Sequence, residues 1–219
     1  MIENFSWAIN NKGNIWRQYV RSLDDDNVSE ILGSIPSAWN VPPKGHHSFA
    51  KWLVEKVNPK VTVELGVDYG FSLFVWSIYN NGKVYGIDSF STEHHQSRVG
   101  DDYQFVIDIK EKLKLDNLKV IKGYFNDVAS TWNKKIDILH IDGLHDYDNC
   151  KNDYETWKKF LKKNGVIVFH DTISYPDDVG RLFSEIELPK FNFTNSHGLG
   201  VVSTNEKLIE EIQNTFGQQ

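Results

Sequence analysis

Cysteine is nearly absent: Cys150 stands alone among 219 residues, which excludes an intrachain disulfide and suits a reducing compartment. Positive charge is scarce as well. Lys and Arg number 24 against 30 Asp and Glu, a net charge of −6, so a nucleic-acid partner, which needs a basic face, is not expected. The pairs Lys158-Lys159 and Lys162-Lys163 do not change this, because they read as the solvated face of an amphipathic helix. No apolar run approaches the roughly 20 residues that span a bilayer. No cationic segment followed by an apolar run opens the sequence either, so neither a membrane partner nor a signal peptide is expected, and the expected location is cytoplasmic. Repeats, low-complexity tracts and linkers are missing too. What is present is a globular composition, 40% hydrophobic and 25% charged, with seven Trp and a length that suits one α/β domain.

The most informative stretch is Val61-Thr-Val-Glu-Leu-Gly-Val-Asp-Tyr-Gly70, followed by Asp88 in Val84-Tyr-Gly-Ile-Asp88. It reads as a buried strand, a glycine-bearing turn and a helix starting near Phe71. Gly66 and Gly70 let the backbone pass close to a ligand, and the helix start offers unpaired N–H groups. Asp88 ends a second strand, where a carboxylate can accept both hydroxyls of a ribose. Dinucleotide sites want G-x-G-x-x-G, whereas this spacing is G-x-x-x-G, flanked by Glu64 and Asp68. Two carboxylates there repel a pyrophosphate and suit a cation, so S-adenosylmethionine, with its sulfonium and ammonium groups, fits. An ordinary strand–helix turn with a surface Asp is the plainer alternative.

Alternation organises the rest. Residues 1–45, broken by Asp24-Asp-Asp26, Pro36, Pro42 and Pro43, look like an N-terminal cap of short helices, and residues 46–219 form the main domain. Strands are expected at Lys60–Leu65, Lys83–Asp88, Leu118–Lys122, Ile136–Ile141 and Val166–Phe169. Helices are expected near His47–Val57, Phe71–Tyr79, Asp102–Leu113, Asn126–Trp132 and Tyr147–Leu161, the last stopped by Asn164-Gly165. Five βα units imply a doubly wound parallel sheet with helices on both faces. A helix near Pro176–Ile186 and two runs, Lys190–Thr194 and Leu199–Ser203, follow; the runs read as an antiparallel hairpin. The fold class is α/β, with a mostly parallel seven-stranded sheet.

Ligands bind such sheets at the carboxyl ends of the strands. Strand four ends Leu139-His-Ile-Asp-Gly-Leu-His-Asp-Tyr147 and strand five ends Val166-Ile-Val-Phe-His-Asp-Thr172, so Asp142 and His170-Asp171 are expected at the edge that carries the glycine turn. Carboxylates and imidazoles there can hold a divalent cation or deprotonate a hydroxyl. His140 reads equally as a core histidine, Asp146 and Asp148 as helix caps, and Asp153 as facing water. The long loop Ser89–Asp101, with His94, His95 and Arg98, reads as a lid or acceptor pocket, or as a surface excursion. In the first reading Arg98 binds an anionic acceptor.

Asp137-Ile-Leu-His-Ile-Asp-Gly-Leu-His-Asp-Tyr147, then Asp153, Trp157–Leu161 and Gly165-Val-Ile-Val-Phe-His-Asp171, resembles the small class I methyltransferases that modify hydroxyls, in particular the macrocin O-methyltransferase group. The likeness covers about residues 60–203. It implies the Rossmann-like methyltransferase fold. It also implies that Glu64, Gly66 and Gly70 contact the methionine part of the cofactor, with Asp68 beside them, that Asp88 holds the ribose, and that Gly123-Tyr124-Phe125 lie by the adenine. Asp142 and Asp171 would hold Mg²⁺. Relatives commonly carry an acidic pair at the second strand end and D-G-D at the first, where this sequence has His170-Asp171 and Asp142-Gly143-Leu144. Mn²⁺ could stand in for Mg²⁺, whereas His170 in the ligand set favours a softer metal, or a metal-free reaction with His145 or Asp142 as base. In the metal-free case the rate is expected to rise through a pKa near that of ordinary histidine. The implied acceptor is a hydroxylated small molecule such as a sugar or nucleotide sugar, and a homo-oligomer stays open. A nicotinamide-dependent oxidoreductase, lacking here the third glycine, and a non-catalytic partner subunit are the competing readings; nucleic-acid methylation is disfavoured by the acidic charge.

Overall fold

The computed structural model describes residues 46–91 and 102–217. The expected N-terminal cap over residues 1–45, and His94, His95 and Arg98 of the long loop, lie outside them. In chain order the elements are α1 (His46–Val57), β1 (Val61–Leu65), α2 (Phe71–Ile78), β2 (Lys83–Asp88), α3 (Asp102–Lys112), β3 (Leu118–Lys122), α4 (Phe125–Thr131) and β4 (Ile136–Ile141). Then follow α5 (Tyr147–Trp157), a 3₁₀ turn (Lys158–Phe160), β5 (Leu161–His170), α6 (Val179–Glu185), β6 (Lys190–Phe193), β7 (Leu199–Ser203) and α7 (Glu206–Phe216).

One seven-stranded sheet runs β3-β2-β1-β4-β5-β7-β6. β7 runs antiparallel to both β5 and β6, and the other six strands share one direction. The chain winds outward from β1 to β3, then returns to add β4 on the other side. The space between the ends of β1 and β4 is therefore the topological switch point, where such sheets bind ligands.

Period-two alternation splits the apolar residues between two faces. Val63, Leu65, Leu139, Ile141, Ile167 and Phe169 pack with Tyr154, Trp157, Val179 and Phe183 of α5 and α6. Ile138, Val166 and Val168 pack on the other face with α1, α2, α3 and α7 through Phe49, Phe74, Phe105 and Ile212. Glu64 and His140 alternate onto this second face, and the register of β1 and β4 sets them side by side.

Two expectations change. The helix from Tyr147 ends at Trp157 rather than Leu161, and a 3₁₀ turn leads straight into a longer β5. Asn164-Gly165 is thus no helix stop: Asn164 sits at φ +66 inside an irregular strand start, where the β4–β5 register slips between Ile136 and Ile138. The second change is α7, for which the sequence reading had no assignment. Asn205 caps it by accepting from the Leu208 N–H at 3.3 Å, and Leu208, Ile209, Ile212 and Phe216 form its buried stripe. Among the described residues no helix is long and apolar enough to cross a membrane.

Candidate active site

A cavity of about 600 Å³ opens at the switch point. Its walls are the β1–α2 loop (residues 66–72), the end of β2 with Asp88 and Ser89, Tyr124–Asn126 after β3, and residues 142–145 after β4. His170 and Asp171 after β5 and one side of α5 complete it.

The loop is built from left-handed residues: Gly66 at φ +90, Asp68 at φ +47 and Gly70 at φ +82. A Cβ on Gly66 would lie 1.9 Å from the Asp142 carbonyl oxygen, and one on Gly70 would lie 2.8 Å from the Phe74 ring. The close approaches that demand glycine are thus to the protein itself: Gly66 lets the loop lie against the end of β4. Asp88 locks the loop from below. Its Oδ2 accepts from the Val67 and Asp68 N–H groups at 2.9 and 3.1 Å, and its Oδ1 accepts from Phe90 N–H at 2.7 Å. Asp88, expected as a ribose acceptor, lines the cavity and is at the same time the brace of the loop.

Four titratable side chains meet after β4 and β5. His145 Nε2 lies 2.9 Å from Asp171 Oδ2 and 3.9 Å from Asp142 Oδ1. His170 Nδ1 lies 3.3 Å from Asp142 Oδ1 and 3.2 Å from Asp171 Oδ2. Burial disfavours every charge here, yet the pairs outweigh it. His145, beside Asp142 and hydrogen-bonded to Asp171, is pushed up to about 9, and His170, beside Asp142 and then Asp171, to about 10. Against burial, the His145 and His170 bonds draw Asp171 down to about 2, and His170 and His145 hold Asp142 well below the usual carboxylate range. At neutral pH the cluster therefore holds two carboxylates and two imidazolium ions. Asp142, His170 and Asp171 each offer one ligand atom, all within 4.8 Å of one another, a spacing that one divalent cation can bridge.

Sequence reading missed three neighbours. Tyr175 stacks on the His145 ring at 4.4 Å between centroids. His197 Nδ1, bonded to Ser174 Oγ at 2.6 Å, stands 3.8 Å from Asp171 Oδ1. Asp153, expected to face water, is 5% exposed and lines the cavity, its pKa pushed up to about 7 chiefly by burial. Its helix position alone did not reveal that α5 turns this residue toward Gly143. Asp146 is the N-cap of α5, as expected, accepting from Asn149 N–H at 3.0 Å.

Two expected cofactor residues lie off the cavity wall, Glu64 and Gly123. Glu64 is fully buried, its Oε1 accepting from Ser72 Oγ at 2.9 Å and its Oε2 lying 2.9 Å from His140 Nδ1. Burial raises its pKa against the His140 and Ser72 bonds. It acts on the loop through Ser72, and His140, fully buried with its Nδ1 against Glu64, is the core histidine of the plainer reading. Gly123 gives its N–H to the Asp88 carbonyl at 2.9 Å and delivers Tyr124 and Phe125 to the wall.

A Rossmann-like sheet with a reversed last strand, a glycine loop on the switch point and an acid ending β2 define a class I methyltransferase fold. A family model described as a methyltransferase domain matches residues 63–172, half of the chain, and the chain belongs to that family. It is 28% identical over 177 residues to the uncharacterized protein y4gI of Sinorhizobium fredii, across 76% of this chain and 20% of that protein. It is 38% identical over 72 residues to the uncharacterized protein R132 of Acanthamoeba polyphaga mimivirus, across 31% of this chain and 33% of the other. The chain thus spans a fifth and a third of these relatives. Among solved structures, the Bacillus cereus O-methyltransferase in complex with S-adenosylhomocysteine aligns at TM-score 0.60 and 17% identity, over 93% of this chain and all of that one. The S-adenosylhomocysteine-bound Podospora anserina methyltransferase PaMTH1 aligns at TM-score 0.59 and 13% identity, over 85% of each chain. At these identities the likeness is one of fold.

Proposed function

We propose that the chain transfers the methyl group of S-adenosylmethionine to a hydroxyl oxygen of a small acceptor bound beside His145. One observation carries this reading: the His145–Asp171 pair, 2.9 Å apart, stands in the same cavity as the braced glycine loop and Asp88. The loop and Asp88 would take the cofactor, and Tyr124 and Phe125 would flank its base. The acidic setting of Asp68, Asp88 and Asp142 suits a sulfonium and an ammonium group.

Methyl transfer is an in-line displacement in which the acceptor oxygen bonds the methyl carbon and the sulfur leaves with the electron pair as a neutral thioether. Most of the catalysis is positioning. The hydroxyl proton needs a sink as the oxygen attacks. With its Nε2–H donated to Asp171, neutral His145 carries its basic lone pair on Nδ1, and Asp171 stabilises the imidazolium that forms. Stacking on Tyr175 holds the ring in that orientation. The same pairing keeps His145 protonated near neutrality, so the rising limb of the pH–rate profile belongs above the ordinary histidine value, toward 9, and not at 6.5.

A divalent ion fits the donor set of Asp142, His170 and Asp171, which with one imidazole nitrogen suits Mn²⁺ better than Mg²⁺. When bound it would lower the pKa of an acceptor hydroxyl. Sugars and nucleotide sugars are the first acceptors to try, on the macrocin-group resemblance of residues 137–147 and 165–171.

Single-turnover assays with methyl-labelled cofactor and a panel of sugars, nucleotide sugars and catechols test the reading. Transfer to a hydroxylated acceptor is expected. Tight cofactor binding with no transfer to any of them would turn the reading toward a non-catalytic partner subunit.

A further inference from the structure

We propose that His197 is a positioning residue for methyl transfer: from the turn between β6 and β7 it fixes the loop that grips His145 on two sides. The inference rests on His145 being the base of the reading above. The loop runs from Asp171 to Tyr175, and each end of it touches the imidazole. Asp171 Oδ2 lies 2.9 Å from His145 Nε2, and the Tyr175 ring stacks on the His145 ring at an interplanar angle of 19°. Tyr175 N–H donates to the Asp171 carbonyl at 3.0 Å, so the two contacts belong to one closed turn. How well the base is aimed therefore depends on what holds that turn.

It is held from outside. Asp171 sits at φ +64, a left-handed conformation that costs a non-glycine residue energy and persists where its surroundings enforce it. Here the antiparallel hairpin does so. Asp171 N–H donates to the Gly198 carbonyl at 3.1 Å, and the Ile173 and Ser174 N–H groups both donate to the His197 carbonyl, at 2.9 and 3.1 Å. Gly198 lies so close that a Cβ on it would stand 2.5 Å from Thr172 Oγ1, which itself donates to Asn192 Oδ1 of β6 at 2.7 Å.

Those backbone bonds would form whatever side chain stood at position 197. The imidazole adds a second hold. Its Nδ1 is 2.6 Å from Ser174 Oγ and 3.8 Å from Asp171 Oδ1. His145 and His170 both face the other oxygen, Oδ2, so Oδ1 is the one they leave over. A ring beside Oδ1 restrains rotation of the carboxylate about its Cβ–Cγ bond, a rotation that would carry Oδ2 away from His145. The His197 side chain is 58% exposed and off the cavity wall, and it makes no hydrogen bond to His145. It acts on the base through Asp171 and Ser174.

The test is steady-state kinetics on the full chain with the fastest acceptor of the sugar, nucleotide-sugar and catechol panel, beside calorimetry with S-adenosylhomocysteine. His197→Ala and Ser174→Ala should each lower kcat about tenfold, the size of one lost hydrogen bond where that bond aims a base. The acceptor KM and the S-adenosylhomocysteine affinity should stay within about twofold of the parent, since neither side chain reaches the ligands. The double variant should lose no more than either single one, because both remove the same contact. His197→Asn, whose amide stands where Nδ1 does and can donate or accept, should restore most of kcat. If His197→Ala melts early, Ser174→Ala and His197→Asn carry the test. An unchanged kcat in the alanine variants, additive losses in the double variant, or cofactor affinity falling in step with kcat would overturn the inference and leave His145 as the base. A parent that binds the cofactor and methylates no acceptor would overturn both.

Discussion

Asp88 is asked to do two things, and the geometry ranks them. Three backbone N–H groups already converge on its carboxylate, so each oxygen has only part of its capacity left for ribose hydroxyls. Asp88→Ala should weaken S-adenosylhomocysteine binding at least tenfold by calorimetry, since charge-assisted bonds are worth about 1.5–3 kcal/mol each. It should also lower the melting temperature, because buried donors lose their acceptor at about 1–3 kcal/mol each. A variant with normal affinity would confine Asp88 to bracing the loop. His145 makes the sharper residue-level case. His145→Ala should lower kcat about 10²–10⁴-fold with cofactor affinity nearly unchanged, as a lost general base does. Asp171→Asn, by removing the partner that holds the imidazolium, should move the alkaline limb of the parent profile toward 6.5. A limb that stays put in Asp171→Asn would assign it to another group.

At the scale of elements, the cavity exists because the β1–α2 loop is pressed on the end of β4. Gly66 makes that contact, with the Asp142 carbonyl where a side chain would begin. Gly66→Ala combines a left-handed φ of +90 with a backbone overlap that only moving the strand ends apart can relieve. Gly70→Ala meets a side-chain ring instead, which can turn. Calorimetry and thermal melts on the two variants should therefore show Gly66→Ala losing more cofactor affinity and more stability. The reverse order would mean the loop is set by α2 and not by β4. Why the elements themselves were readable follows from their patterning. Runs such as Val61–Leu65 and Ile136–Ile141 are apolar and bounded by turn residues, and Asp142 and Asp171 end two such runs in adjacent strands. What stayed hidden was decided by tertiary contact. The Glu64–His140 pair needs the register of β1 against β4, and Asp153 needs the seating of α5 over Gly143. The early end of α5 is followed by an irregular strand start that carries no local signal, since Asn164-Gly165 reads as a helix stop in any sequence window.

For the whole molecule, the reactive cluster ties stability to pH with a definite sign. His145 and His170 have folded pKa values near 9 and 10, above the ordinary 6.5, so their contribution is complete below about pH 6.5 and is lost as pH rises toward 10. Asp171, drawn down to about 2 from 3.8, contributes above about pH 4 and loses that contribution as pH falls toward 2. Other buried groups add slopes of their own. His46, whose burial, with His170 beside it, lowers its pKa to about 3, penalises acid, and Asp153, raised to about 7, penalises base. The parent curve alone therefore cannot isolate the cluster, but a difference can. Thermal melts in excess chelator should show the parent exceeding the double variant His145→Gln, His170→Gln most between about pH 4 and 6.5, with the gap closing by pH 10. A gap that is constant or widens with pH would show that the histidines are neutral in the fold.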